Sequence, residues 1–173
     1  MKRLQTLASS ATVLVLTLAG CSADRITAEA NLRGSPGSSS QSLSVERPWS
    51  GSCDVAAEFT SETTLRITGE CQIAHIGRAS VLAFQTIVPG ASGIEYTNTT
   101  VYTAPNGDEL HTTNVGVATP GAEGLSLNGT ETAVGGTGRF ENASGAATLT
   151  GSIRFTSATT TIGSYELAGR LTF

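Results

Sequence analysis

The sequence predicts an all-β chain, a closed eight-stranded antiparallel β-barrel, on three observations. Apolar and polar residues alternate with a period of two through a series of short segments from Trp49 to the C-terminus. Clusters of Gly, Pro, Asn and Asp divide those segments into eight candidate strands, an even number that lets the last pair with the first and leaves no open edge. Glycines within the strands, at Gly69, Gly116, Gly129, Gly151 and Gly169, allow the coiling that closure demands. The same pattern also suits a two-sheet β-sandwich, which is the alternative architecture. No segment past the N-terminal region carries helical periodicity.

Taken in order, the chain opens with Lys2 and Arg3, an apolar run from about Ala11 to Leu18, and Leu18-Ala19-Gly20-Cys21. Such a basic start, short apolar run and small-residue end mark an export signal, and the run is short for a transmembrane helix. The last four residues resemble the bacterial lipobox. That resemblance implies a lipoprotein signal peptide over residues 1–20, with Cys21 acylated and anchoring the mature chain to a membrane of the bacterial cell envelope; the alternatives are a plain secretory signal or a short anchor. Ser22 after the Cys resembles the arrangement that permits outer-membrane sorting. Residues 21–48 read as a flexible Ser/Gly-rich tether, since the run from Gly34 to Ser40 has too little apolar surface to fold. Without Lys2 and Arg3 the chain has eight arginines against 14 acidic residues, a net charge of −6, and no lysine. Scattered arginines on so acidic a domain lack the basic footprint of a nucleic-acid binder.

The barrel domain spans residues 49–173 in this reading. A hairpin turning near Glu62 pairs Cys53 with Cys71, Val55 with Gly69, Ala57 with Ile67 and Phe59 with Leu65, an apolar face throughout. The opposite face sets Glu58 against Arg66, and one discordant pair, Asp54 against Glu70. In an exported protein Cys53 and Cys71 form a disulfide, worth about 3 kcal/mol by chain entropy. Arg78 to Val88 is apolar on both faces, with Leu82, Phe84 and Val88 opposite Val81, Ala83 and Ile87; one of these faces needs cover, from a loop or from another subunit. Ile94 to Thr103 alternates again, and Pro105-Asn106-Gly107 turns the chain so that Tyr102 faces Leu110 in a short bulged hairpin. A strand to about Ala118, a loop over Thr119 to Gly124 and a Thr-rich strand from Leu125 to Val134 follow. The last two strands align Ala147, Leu149, Gly151, Ile153 and Phe155 on one face, and Tyr165, Leu167, Gly169, Leu171 and Phe173 on the other's matching face.

Gly135-Gly136-Thr137-Gly138-Arg139-Phe140, followed by a small-residue cluster and a Gly-punctuated strand, joins AHIGR (Ala74 to Arg78) and APNGDEL (Ala104 to Leu110) in a recognisable set. Together these segments resemble bacterial relatives of the allene oxide cyclase and dirigent β-barrel group, over about residues 49 to 173. The resemblance implies the eight-stranded barrel, an apolar cavity and a homo-oligomer, since members of that group form trimers. It does not carry over their working residues, which match no positions here.

Chemistry-bearing residues are sparse. His75, Arg78, Asp108, Glu109 and His111 form one candidate polar site, weighed against solvated charges that pair with one another; Arg139 reads as tying its turn to a carboxylate. Two histidines on separate strands give no metal-ligand spacing, no serine sits in a nucleophile elbow, and the Gly-rich turn has no Lys after it, so no catalytic, metal or cofactor residue is assigned. Tyr96, Tyr102, Phe155 and Tyr165 are the candidates to line a ligand at the barrel mouth, against their simply filling the core. The leading expectation is a membrane-tethered, non-catalytic binding or structural module; a carrier of a small apolar ligand and a cyclase-type isomerase are the alternatives.

Overall fold

The computed structural model describes residues 45–173; the stretch read as a signal peptide, Cys21 and nearly all of the stretch read as a tether lie outside the described residues. Eight strands follow in chain order: β1 (Glu46–Phe59), β2 (Thr64–Ile73), β3 (Gly77–Gly90), β4 (Gly93–Thr103), β5 (Glu109–Pro120), β6 (Leu125–Gly136), β7 (Ser144–Phe155) and β8 (Thr160–Thr172). Each pairs antiparallel with the next, and β8 returns to β1 from Glu46 opposite Thr172 to Glu58 opposite Thr160. The barrel is therefore closed, which rules out the sandwich. β1 begins ahead of Trp49, inside the stretch read as tether, because Glu46 to Pro48 continue the ladder to β8.

The period-two pattern sets which side chains face inward. In β1 it buries Trp49 and Cys53 and exposes Ser50, Ser52 and Asp54. The β1–β2 register places Cys53 opposite Cys71, with Cα atoms 4.0 Å apart, and the two form a disulfide. Asp54 does face Glu70 as the sequence pattern implied, but Glu70 is neutralised from the other side by Arg78 of β3, whose Nε donates to its Oε2 at 2.9 Å. Tyr102 stands opposite Leu110 as the hairpin pattern predicts, whereas the bulge falls one ladder further on, between His111 and Thr112 where β5 meets β6.

The two ends of the barrel differ. At one end lie the β2–β3, β4–β5 and β6–β7 connections, which are the three motif segments, and they plug it. Ile76, Ala104, Phe140 and Ala143 from these turns are buried over Trp49, Tyr102, Leu110 and Leu171. Arg139 holds the turns together: its Nη2 donates to the Ile76 carbonyl at 3.3 Å, its Nε lies 3.8 Å from Asp108 Oδ2, and its guanidinium sits 4.6 Å over the Phe140 ring. Gly138 takes φ +56° beside Asp108, where a Cβ would run into that carboxylate, so glycine is required for the turn to close. At the other end the inward residues Ala57, Ile67, Gln85, Asn98, Leu127 and Ile153 are only half-buried, and the interior is reached from there. On the outer wall of β3, Leu82, Phe84 and Val88 are exposed; among the described residues no loop covers them.

Candidate functional site

The polar residues singled out from sequence do not converge. Arg78 pairs with Glu70, His111 Nε2 lies 3.0 Å from Glu109 Oε2, and Asp108 pairs with Arg139; all three contacts are on the outside of the closed end. His75 sits alone in the β2–β3 turn, exposed, at φ 64°, the one positive-φ non-glycine among the described residues. Arg78, Asp108, Glu109 and His111 each sit in a surface pair, and His75 does not. Of the aromatic candidates, Tyr96 and Tyr165 line an interior cavity, Tyr102 lies fully buried behind it, and Phe155 does not take part. Phe155 shares the inward parity of Ile153 but ends its strand beyond the rim, where it is 53% exposed.

The interior instead centres on a residue that composition gave no reason to choose. Glu131 of β6 points into the barrel and is 1% exposed. The alternation of Leu125, Leu127, Gly129, Glu131 and Ala133 dictates that direction, since each is an inward position of the same strand. β4 and β5 supply its partners. Tyr102 Oη donates to Glu131 Oε1 at 2.8 Å, Thr112 Oγ1 donates to the same oxygen at 2.5 Å, and Asn114 Nδ2 donates to Oε2 at 3.2 Å. Tyr102 has one proton and spends it on the carboxylate, so Tyr165, 3.1 Å away, donates to the Tyr102 oxygen.

Two oxygens beside this network have no partner: Tyr96 Oη and Asn114 Oδ1, on residues 4% and 1% exposed. Gly116 and Gly129, opposite each other on β5 and β6, leave the slot in which the Tyr96 phenol lies, because a Cβ at either would collide with its hydroxyl. A Cβ on Gly129 would also come within 2.9 Å of Asn114 Oδ1, so the two orphaned oxygens are neighbours within reach of one bridging group. Burying such atoms unpaired costs free energy, so a hydrogen-bonding group placed beside them would be stabilising.

Tyr96 and Glu131 border a cavity of about 60 Å³, and Asn114 reaches it only through its bond to Glu131. Its walls are mostly apolar, with Leu65, Val81, Leu127 and Leu149 among them, and Tyr96, Tyr165, Glu131 and the ladder Gln85-Asn98-Thr100 supply the polar points. A wider open depression of about 970 Å³ on the outer wall is lined by Asp54, Glu70 and Arg154 among others, and none of the buried polar residues reaches it. The interior cavity is therefore the candidate site. Burial raises the Glu131 carboxyl above its ordinary 4.5, and the bonds from Thr112, Tyr102 and Asn114 pull it part of the way back. Burial, with the Glu131 charge second, pushes Tyr96 up to about 12 and raises Tyr102 and Tyr165 as well, so the three phenols are neutral donors at physiological pH.

No arginine lines the cavity, and no group of His, Cys, Asp and Glu among the described residues is arranged to hold a metal ion. The arrangement offers acceptors, neutral phenols and apolar walls. No family model, no curated protein and no solved structure matches this chain.

Proposed function

We propose that this chain is a membrane-tethered, exported binding module that takes a small molecule into its barrel and carries out no chemistry on it. The observation that carries the reading is the buried polar pair of Glu131 and Tyr96 at an interior cavity, with Asn114 bonded to Glu131 and the Tyr96 and Asn114 oxygens unpartnered. A barrel that needed only to be stable would fill this volume with apolar side chains, because a partly satisfied polar interior is worse than an apolar one. Pockets for small ligands have this composition: apolar walls with a few placed polar groups. The lipobox-like Leu18-Ala19-Gly20-Cys21 and the following Ser/Gly-rich stretch support the tether, and the disulfide suits an oxidising compartment. A cyclase acting on a fatty epoxide finds no support in a cavity of about 60 Å³, which is about two water molecules' share of liquid volume.

Ligand-observed NMR with alcohols, amides and amines of up to about three heavy atoms, the count such a volume allows, tests the reading. The wild-type chain is expected to bind at least one of them saturably. Ala83→Val, which pushes two methyl groups into the cavity from β3, is expected to abolish that binding while leaving the fold and its stability within about 1 kcal/mol. Equal binding by both chains, or none by either, overturns the proposal.

A further inference from the structure

We propose that the cavity is a site for a small protonated amine, about the size of ethylammonium, with the Glu131 carboxylate as its counter-ion and Tyr96 Oη as a further acceptor. The inference rests on reading the barrel interior as a ligand site and names the class of ligand that fits it.

Charge comes first. Glu131 is a buried carboxylate with no cation of its own: no arginine lines the cavity, and the chain's single lysine is Lys2. A buried charge is tolerated when it is paired, and here the pair is incomplete. Hydrogen-bond capacity agrees with charge. Glu131 Oε1 already accepts two bonds, from Tyr102 and Thr112, but Oε2 accepts only one, from Asn114. That leaves an acceptor position on Oε2 close to the unpartnered Tyr96 Oη, and a primary ammonium carries N–H donors for both. An alcohol has one donor and would meet only one of them.

The rest of the cavity suits the rest of the molecule. Tyr96 and Tyr165 border the space with aromatic rings, which attract a cation over their faces. Leu65, Val81, Leu127 and Leu149 provide an apolar wall for a short alkyl group. At about 60 Å³ the cavity has room for about three heavy atoms, so a long-chain or doubly charged amine is too large or too costly to desolvate.

The test uses the full chain at constant ionic strength, titrated with ethylammonium chloride and, separately, with ethanol, its neutral counterpart of equal size. Ethylammonium is expected to bind one to one, about ten-fold or more tighter than ethanol, and to shift the side-chain carboxyl carbon of Glu131. Glu131→Gln keeps an acceptor oxygen but removes the charge, and is expected to weaken ethylammonium about ten-fold or more with little effect on ethanol. Should that variant fail to fold, the carboxyl-carbon shift in the wild-type chain, together with Tyr96→Phe, which removes one acceptor and is expected to weaken the amine selectively, decides the matter. Ethanol binding as tightly as ethylammonium, with Glu131 unmoved, overturns the amine site and leaves the general ligand reading standing. No binding of either molecule overturns the amine site, and the general reading falls with it when the whole panel of alcohols, amides and amines also fails to bind.

Discussion

Trp49→Ala is expected to destabilise the barrel by about 3–5 kcal/mol, a large share of the 5–15 kcal/mol typical of a domain. Trp49 is the largest fully buried side chain, at 0% exposure, and it packs into the plugged end with Tyr102, Leu110, Phe140 and Leu171. Truncation removes its apolar area and leaves a void that a closed barrel relaxes into poorly, since each wall strand is fixed by ladders on both sides. The indole Nε1 has no hydrogen-bond partner, so Trp49→Phe loses less than its smaller ring suggests. It removes an unpaired N–H whose burial costs about 1–3 kcal/mol. Denaturant unfolding followed by circular dichroism, needed because Trp49 is the chain's one tryptophan, measures both. A loss below about 1 kcal/mol for Trp49→Ala would show that the plugged end is not packed as described.

Cys53→Ala/Cys71→Ala is expected to cost about 3 kcal/mol, the chain-entropy value for a loop of this length. The bridge spans a sequence separation of 18, and the two residues are direct neighbours in the β1–β2 register. Both cysteines are at most 2% exposed. A reductant reaches them when the barrel opens, so the rate of reduction under native conditions should follow the rate or population of global unfolding. Thiol trapping with mass detection reads that rate. Fast reduction of fully folded protein would contradict the burial of the pair.

The architecture was legible because it rests on a strict period of two. Cys53, Val55, Ala57 and Phe59 share a face, and once Cys53 is set against Cys71 the register of the first hairpin is fixed, including the awkward meeting of Asp54 and Glu70. Closure followed from the even strand number, although the pattern alone equally suited a sandwich. The site was much less legible. Charged residues near turns attract notice, yet Arg78, Asp108, Glu109 and His111 only pair with neighbours at the surface. Glu131 lay within a Thr-rich strand, between Thr130 and Thr132, where an acid reads as solvated. The parity of Leu125, Leu127 and Gly129 was the signal that could have found it, since it places Glu131 inside, opposite a β5 whose inward residues include Thr112 and Asn114. Parity failed for Phe155 for a plain reason: it gives the side of the sheet and not the height at which the barrel ends.

Everything proposed for the interior depends on Glu131 being shut away from water. A carboxyl raised by burial makes a contribution to stability that is fully present below the unfolded value and is lost as pH rises through the folded one, so the native barrel should weaken in that window and Glu131→Gln should not. The direct measurement is a pH titration of the Glu131 side-chain carboxyl carbon by NMR in the ligand-free chain. An inflection above 4.5 is the predicted result, and an inflection at or below 4.5 would contradict the buried site.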